Sequence, residues 1–328
     1  DNMGGFLDGS KVRPAEDVQK GVKFYTFLDV GYGILEEWGY RIRDVFGRGR
    51  VLVIHGKRFS REYGERIKGL IGKPKKEISC VVSIGGGSVI DSGKFLAKKL
   101  NIPFISIPTL LSSDGIASPV GVRGYKSEFL SLPMGVIVDL EIISSAPTWS
   151  FLAGTGDLIS NLSASLDWDN FKEKSKEPYS FLASLISKSS ALSMLESNPF
   201  KNPENLAWGL ILSGWAMEIA GSSRPASGPE HKISHALDIL NFGEKHGIQV
   251  GFFTPLFLNL NGYENWKEVR NYLLNLGFPE SLKMSRRFAE KVFSLASQTR
   301  PHRYTVLEEM GWEEVLRRAI ELEFITII

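Results

Sequence analysis

The sequence predicts an α/β domain built on a parallel β-sheet, followed by an all-α domain. Up to about residue 149, short β-branched runs alternate with helical stretches, which is the pattern of strand–helix–strand units. From residue 150 onward, helical periodicity continues without a comparable strand signal. A chain of 328 residues also exceeds one comfortable core, so we predict two domains, over residues 1–149 and 150–328.

The elements follow in order from the apolar runs and the stretches between them. The first domain is predicted to contain a strand within 50–56 (RVLVIHG), a helix from Ser60 to about Leu70, strands within 78–87, 102–109 and 134–143, and a helix over 88–100. Helices of the second domain are predicted within 155–171, 180–196, 207–221 and 266–277. Strand, helix, strand at this spacing implies right-handed crossovers and a Rossmann-like parallel sheet.

Composition and charge argue against several classes of protein. The formal net charge is +2 and the charges are interspersed, which argues against a dedicated nucleic-acid surface. The one cysteine, Cys80, excludes an internal disulfide, so a reducing compartment and a cytoplasmic protein are expected. Within the apolar run ISCVVSIGGG, Cys80 is expected to be buried filler and not a nucleophile. No secretory leader and no apolar stretch of roughly 20 residues is found, so no membrane insertion is expected.

A glycine-rich turn follows the second predicted strand. Gly85, Gly86 and Gly87 permit close backbone approach, and the helix that follows them offers N–H groups to an anion. Ser88 is expected to cap this helix, with Asp91 in its first turn. The spacing is not the usual G-x-G-x-x-G, and a plain turn is the alternative. Because the turn follows a buried strand, phosphate binding is favoured.

The next predicted strand ends in a loop rich in polar side chains. The stretch IPTLLSSDGIASP (107–119) contains Thr109, Ser112, Asp114 and Ser118. Ligands bind at the carboxyl ends of parallel strands, and this loop leaves such an end. An ordinary turn is the alternative. Two such loops on consecutive strands favour a ligand site at this edge of the sheet.

Three histidines of the second half indicate a metal site. His231 and His235 are four residues apart and share one face of a helix, and His246 follows in another segment. Asp157, just after two glycines and near a predicted helix start, supplies an anionic ligand. One carboxylate, two imidazoles and an open position make a catalytic divalent-metal site, in which His235 is a ligand, a proton carrier or a substrate contact. Any single histidine is more often structural, and that role is expected for His55 and His302.

Six motifs, in this order, resemble the sn-glycerol-1-phosphate dehydrogenase family: GGGSVID, PTLLSSDGIASP, GTGDLIS, DW, GSSRPASGPEHKISHALD and KHG. The resemblance extends from about Val51 to the tail RPHRYTVL. The family belongs with iron-type alcohol dehydrogenases, glycerol dehydrogenases and dehydroquinate synthases. It therefore implies a dehydroquinate synthase-like fold, with a nucleotide-binding domain over 1–149 and a helical metal- and substrate-binding domain over 150–328.

The resemblance also implies an activity, which is the reduction of dihydroxyacetone phosphate to sn-glycerol 1-phosphate by NAD(H) or NADP(H). In archaea this reaction opens the synthesis of the membrane phospholipid backbone. Zinc, one ion per subunit, would be held by Asp157, His231 and His246. The substrate would contact Asp114, Asp157 and His235, with His235 and Asp157 catalytic. The cofactor would contact Gly87, Ser88, Val89, Ile90, Asp91, Thr109, Leu110, Leu111, Ser112 and Ser118. A homo-oligomer is expected.

The mechanism implied is zinc-assisted hydride transfer to the substrate carbonyl, with His235 returning the proton. Asp114 would fix a substrate hydroxyl. We further hypothesise that the turn GSSRP, with Ser222, Ser223 and Arg224, binds the substrate phosphate. Zinc is expected because iron-type relatives carry a histidine four residues after the aspartate, where this chain has Asn161. A glycerol dehydrogenase, a dehydroquinate synthase-like lyase and a non-catalytic scaffold are the alternatives.

The sequence departs from the family pattern at three places. Ile248 stands where a glutamate usually follows the HG of KHG, so any orienting role of that carboxylate is absent or supplied elsewhere. Only IGKPKKE (71–77) links one predicted helix to the next strand, so a further strand and helix are either truly missing or lost from the sequence. The first 17 residues, DNMGGFLDGSKVRPAED, do not align with the family pattern.

Overall fold

A computed structural model describes residues 22–74, 77–124 and 126–328, so the stretch that could not be aligned lies outside the described residues. Five parallel strands form the central sheet in the order β1-β7-β4-β3-β2. The strands are β1 (Phe27–Gly31), β2 (Val51–His55), β3 (Cys80–Gly85), β4 (Phe104–Pro108) and β7 (Gly135–Asp139), and an antiparallel hairpin is formed by β5 (Val120–Arg123) and β6 (Lys126–Phe129). The predicted parallel sheet is confirmed.

Both faces of the sheet are covered, which explains why its strands read as continuous apolar runs. Cys80, Val82 and Ile84 of β3 point to one face, where they pack with α1 (Leu35–Phe46) and α2 (Ser60–Ile71). Val81 points to the other face, toward α3 (Gly87–Leu100) and the helical part of the chain. Cys80 is fully buried, and burial raises the pKa of its thiol to about 12, so it is the apolar filler expected.

Three features of this part differ from the sequence prediction or were missed by it. Strand β1 and the β5–β6 hairpin were not predicted. The run 134–143 is strand only as far as Asp139, because the Asp139 side chain accepts the N–H of Glu141 and starts the short helix α4 (Leu140–Ser144). The same carboxylate accepts the N–H groups of Gly33 and Leu35, so it ties β7 to the start of α1.

The sheet ends at β2, and the connection from α2 to β3 is short. Val51 is in register with Cys80, so β2 pairs directly with β3, and no strand or helix lies between α2 and β3 in the described part of the connection. Lys75 and Lys76 are outside the described residues. The described chain therefore crosses from one strand to its neighbour without the additional unit that a longer doubly wound sheet would have.

The remainder is helical, as predicted, apart from one pair of short strands. The helices are α5 (Thr148–Phe171), α6 (Phe181–Leu195), α7 (Pro203–Ala220), α8 (Pro229–Ile239), α9 (His246–Leu260), α10 (Trp266–Leu276), α11 (Arg286–Gln298), α12 (Val306–Met310) and α13 (Trp312–Glu321). Strands β8 (Leu282–Met284) and β9 (Ile325–Ile327) pair in parallel, so the expectation of an all-α half was wrong there. The domain boundary at 149/150 falls in the first turn of α5 and stays a prediction.

The buried surface of the helical part forms two clusters. One joins α5, α6 and α7 to the sheet, and the other surrounds α9, α11 and α13. No helix among the residues the structure describes is long and apolar enough to cross a membrane. Between the two clusters, α5 and α9 run against each other, and this contact places the candidate site.

Candidate metal centre and active site

The candidate site lies where the carboxyl ends of β3 and β4 meet the helical part. One cavity brings together the start of α3, the loop after β4, and α5, α8 and α9. Its lining includes Gly87, Asp91, Asp114, Ser118, Asp157, His231 and His246. Two adjacent loops on consecutive strands therefore do share an edge with the metal-type side chains, as the sequence reasoning anticipated.

Glycines allow α5 and α9 to approach at the site. A Cβ built on Gly156 would lie 2.1 Å from the carbonyl oxygen of Gly247, and one on Gly247 would lie 2.0 Å from that of Ala153. A Cβ on Gly251 would lie 2.5 Å from Gly156 Cα, so no larger residue fits at these three positions without moving a backbone. Asp157 follows Gly156 directly and His246 precedes Gly247, so the two ligand-type side chains are carried by this contact.

This contact corrects one expectation about Asp157. The residue is the tenth of α5, which begins at Thr148, so it lies inside the helix and not near its start. The glycines before it are packing residues and do not mark a helix terminus. A Cβ on Gly154 would lie 1.9 Å from the carbonyl oxygen of Leu111, so the loop after β4 also rests against this helix.

Asp157, His231 and His246 form a compact group. One ligand-type atom from each lies within 4.8 Å of the others, and His231 Nε2 is 3.9 Å from Asp157 Oδ1. The rings of His231 and His246 meet edge to face with centroids 5.0 Å apart. Asp157 and His231 are buried and His246 is partly exposed, so the group is reached from one side. Two imidazoles and one carboxylate at these separations are a donor set that suits a divalent metal.

His231 is oriented by the residue that precedes it. Glu230 Oε1 lies 2.9 Å from His231 Nδ1, and the same carboxylate accepts the N–H of Gly228 at 2.7 Å and the hydroxyl of Ser163 at 2.6 Å. Burial raises the pKa of Glu230, and the hydrogen bonds from Ser163 and Gly228 act in the opposite direction. A carboxylate on Nδ1 directs Nε2 toward a metal, which is the usual outer contact of a ligating histidine. Sequence reasoning missed Glu230, although its place next to His231 was the available signal.

His246 is oriented through two uncharged side chains. Ser234 Oγ lies 2.7 Å from His246 Nδ1 and 2.6 Å from Gln249 Oε1. A hydroxyl has one proton, and since the amide oxygen of Gln249 can only accept, Ser234 donates to it and accepts from His246 Nδ1–H. Gln249 is held in turn, because its Nε2 donates to Asp238 Oδ1 and to the carbonyl of Glu244. The orienting role left open by Ile248 is therefore supplied by Ser234 and Gln249.

Asp114 joins the loop after β4 to the metal-type group. Its N–H donates to Asp157 Oδ2 at 2.8 Å, and its own Oδ2 accepts the hydroxyl of Ser213 at 2.8 Å. Lys94 of α3 holds the loop in place, because its Nζ donates to the carbonyls of Gly115 and Val120 at 2.6 Å each. Lys94 is buried, and burial lowers its pKa. These contacts fix the predicted substrate residue Asp114 beside Asp157.

The glycine-rich turn has a different local structure from the one expected. Helix α3 begins at Gly87, and Gly86 is its extended N-cap, with no side-chain hydrogen bond, so Ser88 is not the cap. Asp91 lies in the second turn, 3.8 Å from Lys94 Nζ, and not in the first. Gly85 is required by packing, because a Cβ there would lie 2.7 Å from Val89 Cβ.

Only some of the predicted cofactor residues line the cavity. Gly87, Asp91 and Ser118 line the cavity. Ile90 and Leu111 are fully buried in the core, so only their main chain could face a nucleotide. Cofactor contact by the whole set stays a prediction: Gly87, Ser88, Val89, Ile90, Asp91, Thr109, Leu110, Leu111, Ser112 and Ser118.

His235 is next to the compact group but is not one of its three members. Its ring centroid lies 5.8 Å from that of His246, and its Nε2 is contacted by Nη2 of Arg300. Because a guanidinium can only donate, Nε2 is the acceptor and the ring proton is on Nδ1. The division of the three histidines into two metal ligands and one substrate residue stays a prediction. Arg300 was not predicted at all. His55, expected to be structural, lies outside this group and contacts Gly56 and Glu65 at the end of β2.

The hypothesis that Arg224 binds a substrate phosphate is wrong. Its side chain is fully buried, with Nη2 2.5 Å from Asp167 Oδ2 and Nη1 2.9 Å from the carbonyl of Ala164. Ser222 is also fully buried and accepts the Arg224 N–H, while Ser223 lines the cavity. The guanidinium therefore joins α5 to the turn before α8 and does not face the site.

Known dehydrogenases resemble this chain in sequence. A family model described as iron-containing alcohol dehydrogenase matches residues 53–147. The chain is 35% identical over 317 residues to the glycerol-1-phosphate dehydrogenase (NAD(P)+) of Methanosarcina barkeri, covering 85% of this chain and 89% of that protein. The protein of the same name from Pyrococcus horikoshii is 38% identical over 260 residues, covering 75% and 74%. The chain belongs to the glycerol-1-phosphate dehydrogenase family.

Solved structures agree with this family at the level of the fold. A probable glycerol dehydrogenase from Sinorhizobium meliloti superposes with a TM-score of 0.74 at 17% identity, over 92% of this chain and 98% of that one. A sulfoacetaldehyde reductase from Bifidobacterium kashiwanohense, solved with NAD+, gives 0.72 at 15% identity over 92% and 98%. The dehydroquinate synthase-like architecture predicted from the sequence is thereby confirmed.

Replacing Arg224 by methionine is expected to destabilise the fold and leave substrate binding little changed. The change leaves Asp167 buried without its partner, which typically costs about 3–5 kcal/mol in the free energy of unfolding. Urea unfolding of Arg224→Met measures this loss. The control is Arg317→Met, which removes an exposed pair with Glu314 and should change the unfolding free energy by less than about 1 kcal/mol. Normal stability of Arg224→Met together with weak substrate binding would restore the rejected hypothesis.

Proposed function

We propose that this chain catalyses the NAD(P)H-dependent reduction of dihydroxyacetone phosphate to sn-glycerol 1-phosphate, with a zinc ion at Asp157, His231 and His246. The observation that carries the proposal is the compact group of these three side chains at the end of two loop-bearing strands. The names of the archaeal relatives support the substrate and the cofactor class. In archaea such an activity supplies the glycerol phosphate backbone of membrane lipids.

The residues of the site fit a zinc ion. The donors are one carboxylate and two imidazoles, and the Nδ1 atoms of both imidazoles are engaged by Glu230 and Ser234, which assigns Nε2 to the metal in each. The position where iron-type relatives carry a further histidine is Asn161, whose Nδ2 reaches toward Ser190. A three-residue donor set with an open position favours zinc. When bound there, zinc would act as a Lewis acid toward the substrate carbonyl.

The remaining steps depend on residues of the chain itself. Asp114, fixed by Ser213 and beside Asp157, is placed to accept a substrate hydroxyl. His235 lies next to His246, and we assign it the delivery of the proton that the reduced carbonyl oxygen takes up. For this step Nε2 leaves Arg300 and takes up a proton from solvent, and the imidazolium then donates its Nδ1 proton and returns to the neutral form. Asp114 and Asp157 line the cavity and His235 lies next to it, so these three side chains would orient the substrate before reaction, which is where much of the rate enhancement of such sites arises.

The cofactor would bind at the start of α3. The first amides of a helix have no acceptor within the helix, and those of α3 follow Gly86 at the rim of the cavity. A nicotinamide dinucleotide held there would supply the hydride. Gly87 leaves open space for the pyrophosphate, since a Cβ built on it meets no atom within 4 Å.

Oxidation of NADH and NADPH on addition of dihydroxyacetone phosphate tests the activity. We expect turnover with this substrate and formation of sn-glycerol 1-phosphate, because the site combines a metal-type group with a cofactor loop. Dihydroxyacetone, glycerol with the oxidised cofactors, and a deoxyheptulosonate phosphate are the comparison substrates. Turnover of glycerol without turnover of dihydroxyacetone phosphate would make the chain a glycerol dehydrogenase instead.

Two histidine variants separate metal binding from proton transfer. His231→Ala should lose zinc, measured by elemental analysis of the purified protein, because it removes a ligand held by Glu230. His235→Ala should keep zinc and lower kcat by about 100-fold or more, the usual contribution of a general acid. His55→Ala, outside the site, is the control and should change neither quantity. Loss of zinc from His235→Ala would place that residue among the ligands.

The apolar face of α6 supports the expected homo-oligomer. Phe181, Leu185 and Leu192 follow one stripe of the helix and are 68%, 45% and 42% exposed. We propose that this face is covered by a second copy, and that the protein, whose one cysteine is a buried thiol, works in the reducing cytoplasm. Sedimentation velocity should show an oligomer that Leu185→Glu weakens and that Val45→Glu, on the exposed side of α1, leaves intact. A monomeric wild-type protein would contradict the proposal.

A further inference from the structure

Four basic side chains are buried in the described helical part of the chain, and three of them are paired with a carboxylate. Burying a charge is costly unless an opposite charge or good hydrogen bonds accompany it, so such pairing is expected. The pairs are Arg224 with Asp167 at 2.5 Å, Lys232 with Glu308 at 2.6 Å and Arg303 with Glu177 at 2.6 Å. The fourth basic residue, Arg300, differs from these.

Arg300 has no carboxylate within ion-pair distance among the residues that the structure describes. Its guanidinium contacts two neutral acceptors, Ser227 Oγ through Nη1 and His235 Nε2 through Nη2. A guanidinium has five N–H groups, so three of them have no acceptor within the described parts of the chain. The residue is 7% exposed. Burial, and next the charge of Arg303, lower the pKa of Arg300, which agrees with a cation in excess at this point.

The turn that carries Arg300 is attached to a residue of the cavity wall. Arg300 has a left-handed φ of 48°, which is unfavourable for a residue with a side chain and is held here by the turn bond from Arg303 N–H to its carbonyl. Arg303 of the same turn donates to the carbonyl of Ser227 at 2.5 Å. The turn is thus fastened to Ser227, which lines the cavity together with His231 and His246.

We propose that Arg300 binds the phosphate group of the substrate and so selects a phosphorylated three-carbon ketone over the free one. The inference rests on the proposed function for the identity of the substrate. A phosphate dianion accepts paired N–H groups from one guanidinium, which supplies the missing counter-charge. In dihydroxyacetone phosphate, the phosphorus is separated from the carbonyl carbon by one carbon and one ester oxygen. A carbonyl at the metal-type group and a phosphate beside His235 are therefore neighbouring positions.

The contact with His235 offers a second role, which the experiment must separate from the first. If Arg300 served only to orient His235, its removal would slow both the phosphorylated and the free ketone to the same degree. If it binds phosphate, the loss falls on the KM for the phosphorylated ketone. The comparison of two substrates on one variant thus distinguishes the roles.

The test uses Arg300→Met and Arg300→Lys in the zinc-loaded full chain. For Arg300→Met we expect KM for dihydroxyacetone phosphate to rise about 100-fold, because the charge-assisted hydrogen bonds to the phosphate are lost. KM for dihydroxyacetone, which has no phosphate, should change less than about threefold. Arg300→Lys keeps the positive charge but cannot donate the paired hydrogen bonds of a guanidinium, so KM for dihydroxyacetone phosphate should rise less, by about tenfold. Zinc content and the thermal midpoint identify a variant that has lost its structure, and Arg317→Met is the exposed control.

Binding of inorganic phosphate by calorimetry gives a readout that does not depend on turnover. Wild-type protein should bind phosphate at the site, and both Arg300 variants should bind it more weakly, in the same order as their KM values. Equal phosphate binding by wild type and variants, or an equal loss of kcat on both ketones, would overturn the proposal. If wild type binds phosphate through Arg300 but does not reduce dihydroxyacetone phosphate, the proposed function fails while the anion site stands.

Discussion

The close contact of α5 and α9 is the constraint on which the site depends. Gly156, Gly247 and Gly251 let the two backbones meet, and the next residue on each helix toward the cavity is Asp157 or His246. A side chain at any of these glycines would separate the helices, and with them the carboxylate and the imidazole that would share one ion in the proposed metal site. Interiors are packed too densely for such a separation to be absorbed locally. The metal-type geometry is thus a consequence of helix packing, and the loop carrying Asp114 is drawn to the same place by Gly154.

Around this contact each candidate ligand has its own support. Glu230 with Ser163 and Gly228 holds His231, Ser234 with Gln249 holds His246, and the N–H of Asp114 holds Asp157. The supports differ chemically, since one is a buried carboxylate and another is a hydroxyl relayed to an amide. Both supports engage Nδ1 and leave Nε2 available, so the protein itself sets the tautomers that the proposed metal site would need. Ser234 and Gln249 orient His246 without a charged group, so this orientation does not require the glutamate that usually follows the HG of KHG.

Sequence reasoning predicted the parallel sheet, the meeting of two loops at one edge of it and the group of Asp157, His231 and His246, because periodicity and motif order carry that information. It could not predict where distant segments touch. The position of Asp157 inside α5 was missed because glycines before a polar residue resemble a helix start, whereas here they serve helix packing. Strand β8 and its partner are three residues each, too short for a periodic signal. Ser234 and Gln249 gave no signal because their function exists only once α8 and α9 are packed.

Arginine shows most clearly why the folded structure is needed to assign a role. Arg224 lies in a family-like motif and was the natural choice for an anion, and Arg300 lies in a tail that drew no attention. Type, charge and burial do not distinguish them, since both guanidinium groups are almost completely buried. The two residues differ in their counter-charge. Arg224 is already paired with Asp167, and this pair serves the stability of the fold. Within the described chain, Arg300 contacts only a hydroxyl and an imidazole, so a bound anion would supply the counter-charge. Ser227, which Arg300 contacts, lines the cavity that also holds the metal-type group, and this connection favours the substrate as the source of that anion.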